Sequence, residues 1–174
     1  MAELKKLLIL TMNSKIIVGA LISILLINCS PKDNTKNTYS AEAYIHKIKL
    51  TDLNGQNVDW SNFVGKKVIV NVWATWCKPC IEEMPSLEVL KNKLPTDEYV
   101  LMIASSEDSS KISRFLERNN YQLDFYQLQS VPESLGIYAL PTTFIIDEKG
   151  ELLVTENGMR DWGNDSVVKE IMEL

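Results

Sequence analysis

"KKVIVNVWATWCKPCIEEMPSLEVLKNKL", residues 66–94, holds a strand, a turn and a helix in one run. "KKVIVNVWA" (66–74) is rich in β-branched residues, which suit a pleated buried surface, and predicts a central strand. In "IEEMPSLEVLKNKL" (81–94) the period changes. Met84, Leu87, Leu90 and Leu94 recur three and four residues apart, the pattern of one helical face. Pro85 falls inside that helix and is expected to kink it. Between strand and helix sit Cys77 and Cys80, with Trp76 before them and Lys78-Pro79 between them. Two thiols at that spacing can hold a metal, close a loop or pass electrons.

A structural zinc site needs four ligands. This chain offers one close pair and a single distant histidine, His46, on a predicted strand where it reads as a surface residue. No metal site is expected. Redox exchange fits the flanking pattern better. A strand that turns into a helix leaves Cys77 at the helix N-terminus, where unsatisfied N–H groups and the positive dipole end favour thiolate over thiol. Lys78 adds positive charge, and Pro79 is tolerated in a first helical turn while stiffening the loop. Cys80, one turn on and expected to be more buried, is placed to resolve a mixed disulfide. Such chemistry needs no cofactor, and none is expected.

Outward from this run, "YIHKIKLTDLNGQNVDW" (44–60) alternates apolar and polar residues around Asn54-Gly55, which predicts two short strands and a turn. After the helix come a strand over 98–105, a helix over 109–120 with serines available as caps, and a strand over 123–128. A short helix follows over 130–138 with Pro132 in its first turn. A hairpin over 142–158 turns at Asp147-Glu148-Lys149-Gly150, and a last helix spans roughly 162–173. Strands alternating with helices and ending in a hairpin predict one α/β domain on a mixed sheet.

The 174 residues carry a formal charge of −5. Without residues 1–28 there remain 15 basic and 22 acidic side chains. Phosphate neutralisation needs a basic surface, so nucleic acid is excluded as a partner. The start of the chain reads as an address. "IIVGALISILLI" (16–27) follows Lys15, the pattern of a secretory signal, and as a helix it spans only about 18 Å against a hydrocarbon core of about 30 Å. The alternative is a transmembrane anchor lengthened by "LLIL" at 7–10, which "TMNSK" (11–15) interrupts. "LINCS" (26–30) resembles a bacterial lipobox, which would make Cys29 the lipidated first residue of the mature chain. The polar stretch after it reads as a tether. The expected organisation is a lipoprotein-type signal peptide at 1–28, a flexible tether at 29–43 and a folded domain at 44–174.

"VWATWCKPCIEEMP" (72–85), followed by "LPTTFIIDEKG" (140–150), resembles the thioredoxin superfamily and, more narrowly, its membrane-anchored TlpA/ResA-like thiol–disulfide oxidoreductases. The resemblance covers most of 44–174. It implies a thioredoxin-like fold, a mixed central sheet flanked by helices with an added N-terminal β-hairpin. It also implies that Cys77 is the nucleophile and Cys80 the resolving thiol of a redox-active disulfide. Trp76 would shield the pair and offer a flat surface to a substrate chain. Pro141 would be a cis-proline facing the disulfide, with Leu140 presenting its backbone to a bound peptide. Leu140 is bulkier than the residue often found there. Asn71 stands where cytosolic thioredoxins bury an aspartate, and an amide cannot accept the resolver's proton. Glu83, one helical turn beyond Cys80, occupies a position where related reductases place a glutamate that assists deprotonation. A solvated glutamate, like Glu82, is the alternative.

Lys78-Pro79 between the cysteines is the thioredoxin-like choice and implies a reducing potential, about −200 to −280 mV. The resemblance therefore implies a monomeric reductase of disulfide-containing client proteins, fed by a membrane thiol electron donor. It would lie on the periplasmic side of a bacterial cell envelope, held to the membrane by a lipid anchor. Support of cytochrome c maturation is among the roles it allows. Two other readings remain open. A peroxiredoxin-like peroxidase would set a Thr-x-x-Cys before an arginine-assisted pocket, but Thr75 is two before Cys77 and no Arg occurs between 1 and 113. A non-catalytic tethered chaperone or metallochaperone would use the pair only to bind.

Overall fold

The computed structural model describes residues 38–174. The leader expected over 1–28, the lipidation candidate Cys29 and most of the expected tether lie outside the described residues. These residues form one six-stranded sheet in the order β1-β4-β3-β2-β5-β6. Its strands are β1 (Leu50–Thr51), β2 (Lys67–Val72), β3 (Tyr99–Ser105), β4 (Phe125–Leu128), β5 (Thr142–Ile146) and β6 (Leu152–Asn157). β2, β3 and β4 run parallel, while β5, β6 and β1 are antiparallel to their neighbours. The mixed sheet expected from the strand–helix alternation is present.

Alternation along the strands divides the core in two. Val68, Val70 and Val72 face one way with Met102, Ala104, Phe144 and Ile146. Ile69 faces the other way with Leu101, Ile103 and Ile145. On this second side lie α1 (Lys78–Lys93), α2 (Ser109–Leu116) and α3 (Asp165–Glu173). The crossovers β2-α1-β3 and β3-α2-β4 advance in the same direction along the sheet. Right-handed crossovers that step the same way leave their helices on the same face. The predicted stripe of Met84, Leu87, Leu90 and Leu94 is buried there. Pro85 stands inside α1, which continues unbroken around it.

The opposite face is covered by the N-terminal segment, and here the structure departs from the expected strands. Tyr44–Lys47 and Trp60–Phe63 are 3-10 turns, and only Leu50–Thr51 is a strand. The reason is spacing. Ile45 and Ile48 are three apart and both fully buried, which a 3-10 turn permits and strand alternation forbids. His46 consequently sits exposed on that turn, edge-on to Tyr39, not on a strand. The expected hairpin is reduced to one bridge, Thr51 to Asn57, and β1 adds to the sheet edge beside β4. Packing also begins before residue 44. Tyr39 and Ala43 are buried, and the Tyr39 hydroxyl donates to the Phe63 carbonyl at 2.7 Å. α2 is shorter than expected, and Asp108 rather than a serine stands at its N-cap, without a side-chain capping bond.

Candidate active site

Parallel pairing sets the C-terminal ends of β2 and β3 side by side, Val72 opposite Ala104. Antiparallel pairing brings the start of β5 to the same end, Thr142 opposite Val72, and the end of β6 beside it, Asn157 opposite Thr142. Every segment that matters chemically leaves the sheet at this end: the 73–77 turn, the 105–108 turn, Leu140-Pro141 and the stretch 158–162.

Cys77 is the N-cap of α1, as the strand–turn–helix pattern requires, with Pro79 in the first turn. It is joined to Cys80 by a disulfide, with Cα atoms 5.3 Å apart. Cys77 Sγ accepts the Cys80 N–H at 3.3 Å, the donor a thiolate at this position would meet. Cys80 is fully buried and Cys77 is 4% exposed, so both are buried and only Cys77 reaches the surface at all. Beside them Trp76 is 70% exposed, which leaves its indole available to a partner. Lys78 is exposed and paired with Glu82 at 3.4 Å.

The turn before Cys77 is held by Glu107, which the sequence reading missed. Its carboxylate accepts the Thr75 N–H at 2.6 Å and the Thr75 hydroxyl at 3.0 Å, and it pairs with Lys111. Burial pushes the Glu107 carboxyl up, but Lys111 and the two bonds from Thr75 outweigh it and leave it below its ordinary range. A carboxylate fixed in its charged form thus braces the turn that presents Cys77.

Leu140-Pro141 is a cis peptide bond, as the resemblance implied. The turn around it is held on both sides. Thr142 Oγ1 donates to the Ala139 carbonyl at 2.7 Å, and Gly158 N–H donates to the Pro141 carbonyl at 2.8 Å. Leu140 is half-buried and packs against both core clusters.

Glu83 is not a solvated helix residue. It is 2% exposed, whereas Glu82 faces water. Oε1 accepts from Asn71 Nδ2 at 2.8 Å. Oε2 accepts from the Arg160 N–H and from Trp162 Nε1, both at 3.1 Å. Asn71 Nδ2 also donates to Thr143 Oγ1 at 2.9 Å, so strand, helix and loop meet in one polar cluster beneath the sheet end. Burial raises the Glu83 carboxyl above its usual range, and the three donors only partly oppose that. Among the described residues, Asn71 Oδ1 and Trp73 Nε1 are buried without a protein partner. The sequence reading found Asn71 and Glu83 but not Thr143, Arg160 or Trp162. A signal for Glu83 was present, since it lies four before Leu87 and seven before Leu90, on the buried stripe.

The Redoxin family matches residues 40–171. The thiol-disulfide oxidoreductase ResA of Halalkalibacterium halodurans is 32% identical over 130 residues, which cover 72% of this chain and 71% of that protein. The thioredoxin-like protein YneN of Bacillus subtilis is 37% identical over 108 residues, 59% of this chain and 63% of that protein, just under two thirds of its length. Among solved structures, the exposed lipoprotein thioredoxin of Streptococcus pneumoniae aligns with a TM-score of 0.61 and 24% identity over 72% of this chain and 98% of that one, a likeness of fold. With its Cys77–Cys80 pair at the mouth of a thioredoxin-like fold, the chain belongs to the Redoxin family as a thiol–disulfide oxidoreductase.

Proposed function

We propose that the protein works as a reductase of protein disulfides on the outer side of a bacterial membrane, with Cys77 attacking and Cys80 resolving. The carrying observation is a disulfide between Cys77 at a helix N-cap and the fully buried Cys80, with the buried Glu83 carboxylate one turn beyond. In the reduced protein the Cys77 thiolate attacks a client disulfide. A Cys77–client bond forms, the client S–S bond breaks, and one client thiolate leaves. Cys80 then loses its proton and attacks Cys77 Sγ. The mixed disulfide breaks, the second client sulfur leaves as thiolate and takes up a proton, and the Cys77–Cys80 disulfide closes. Two electrons have passed to the client, and a membrane dithiol donor restores the pair by the same exchange.

In this reading Glu83 receives the Cys80 proton, directly or through water, because Asn71 cannot. A carboxyl raised by burial is suited to that exchange, since its proton affinity moves toward that of a thiol. Trp76 and the backbone of Leu140 would receive the client chain in extended form, with Pro141 beside the sulfurs. The polar stretch that follows Cys29 would serve as tether and Cys29 as lipidated anchor. Disulfides of apocytochrome c, whose haem-attachment cysteines must be reduced, are one client class.

The test is trapping in the native envelope. Cys80→Ala should accumulate mixed disulfides through Cys77, while Cys77→Ala should not. Equal trapping by both variants would reverse the assignment of attacker and resolver. A wild-type protein that reduces no insulin disulfide beyond the background of its thiol donor would be a binder instead.

A further inference from the structure

On a chain with five more acidic than basic side chains, one concave surface beside the exchange pair is basic. A cleft of about 390 Å³ is lined by Thr75, Lys111, Arg114, Phe115 and Arg118. Thr75 is two residues before Cys77, so the cleft opens beside the turn that presents the attacking sulfur. The chain has three arginines, and two of them are here. The third, Arg160, is engaged with Glu156 and Glu170. Arg114 and Arg118 form no ion pair with a carboxylate among the described residues; Arg114 Nε donates only to the Ser110 carbonyl of its own helix. Both are exposed. Three carboxylates lie close in sequence. Glu107 is occupied by Thr75 and Lys111, and neither Asp108 nor Glu117 is among the residues lining the cleft.

We infer that this cleft is a specificity site for acidic client segments, reading Asp or Glu side chains that flank the disulfide being reduced. The inference rests on the reductase reading above. A guanidinium fork matches a carboxylate with two parallel hydrogen bonds, and Phe115 gives the cleft an apolar wall for the aliphatic part of an acidic side chain. Unpaired cations in a concave surface also focus attraction there, and this cleft adjoins the turn that presents Cys77. Exposed charge pairs are individually weak and screened by salt. Two of them should raise kcat/KM for an acidic client roughly five- to tenfold at low ionic strength, mainly through KM.

The experiment uses the full-length chain and three cystine peptides of equal length, with the disulfide flanked by Asp/Glu, by Ser or by Lys. Reduction is followed at low and high salt for wild type, Arg114→Gln/Arg118→Gln and Arg114→Glu/Arg118→Glu. The expected order for wild type at low salt is acidic, then neutral, then basic. The spread should collapse at high salt, shrink in the glutamine pair and invert in the glutamate pair, while neutral-peptide rates stay unchanged. Equal kcat/KM for all three peptides, or an acidic preference that survives charge reversal, would overturn the assignment. Failure to reduce even the neutral peptide would instead strike the reductase reading itself.

Discussion

Replacing Glu83 separates its structural role from its chemical one. Glu83→Ala removes the acceptor for two buried or part-buried donors, Trp162 Nε1 and the Arg160 N–H, while Asn71 keeps Thr143. Each donor left unpaired costs about 1–3 kcal/mol, and relief from burying a charge offsets part of the sum. A net loss of about 2–4 kcal/mol is expected, read as a lower midpoint in urea. Glu83→Gln should behave differently. One amide oxygen can still accept from Trp162 and Arg160, and its NH2 would face Asn71. A flip of the Asn71 amide then brings Oδ1, now without a protein partner, to meet that NH2 and the Thr143 hydroxyl. The flip leaves the Asn71 NH2 where its Oδ1 stood, without a protein partner, so the cost should be about 1–2 kcal/mol, less than for Glu83→Ala.

The pH dependence has a definite sign. Burial raises the folded-state pKa of Glu83 above its unfolded value of 4.5, so the folded protein holds this proton more tightly. Wild-type stability from this group is therefore highest below the unfolded pKa. It falls as pH rises from there to the folded pKa, and stays level above it. Glu83→Gln lacks the loss, so its stability relative to wild type should grow through that window. In the active-site assay, client reduction by Glu83→Gln should slow by about tenfold or less, because thiols are already acidic, and its pH profile should shift. A glutamine variant as unstable as the alanine one, or a flat stability difference across the window, would refute the buried, proton-holding carboxylate. Superimposable activity profiles would leave Glu83 a structural residue only.

Three further changes probe the N-terminal part. Gly150 has φ +85° and an added Cβ would lie 2.8 Å from Tyr39 Cδ1 and 2.9 Å from Ile45 Cγ2. Gly150→Ala should therefore cost about 2–4 kcal/mol from left-handed strain plus overpacking, measured by urea unfolding. Gly55→Ala, with the same φ and nothing within 4 Å, should cost only about 1 kcal/mol, and equal losses would mean that residues 39–45 do not pack as described. Cys29→Ser should abolish lipidation and release an active redox domain from the membrane fraction, since several acyl chains give firm attachment where one does not. An uncleaved variant that stays membrane-bound would establish a transmembrane anchor instead.

What the sequence disclosed follows from the range of the interactions involved. The exchange pair was legible because its requirements are local: a β-branched run, a turn, Pro79 in a first helical turn and an apolar stripe of helical spacing all lie within residues 66–94. The mixed sheet was legible from the order of its elements, strands alternating with helices and then a hairpin. Residues 44–63 misled because polar and apolar residues alternate there by accident, while Ile45 and Ile48 are placed by a 3-10 turn that buries both. The environment of Glu83 was beyond local reading altogether. Its Oε2 donors come from 77 and 79 residues away. Helical spacing could place Glu83 on the buried face, but only the fold could say that an indole and a backbone amide would meet it there.

That long-range contact also explains why a carboxylate is tolerated on the helix when the strand position carries an amide. A buried charge needs donors, and Asn71 supplies one from the sheet side while Arg160 and Trp162 supply two from the loop side. With an aspartate at 71, two carboxylates would face each other in low dielectric and could not both ionise. The amide is therefore the complement of Glu83, which lies on the helix one turn beyond Cys80. The loop that completes the arrangement has a second attachment. Gly158 holds the Pro141 carbonyl, and the Arg160 side chain ties the stretch to Glu156 of β6 and Glu170 of α3. The stretch 158–162 thus bridges the turn where a client would dock and the carboxylate that would take the proton.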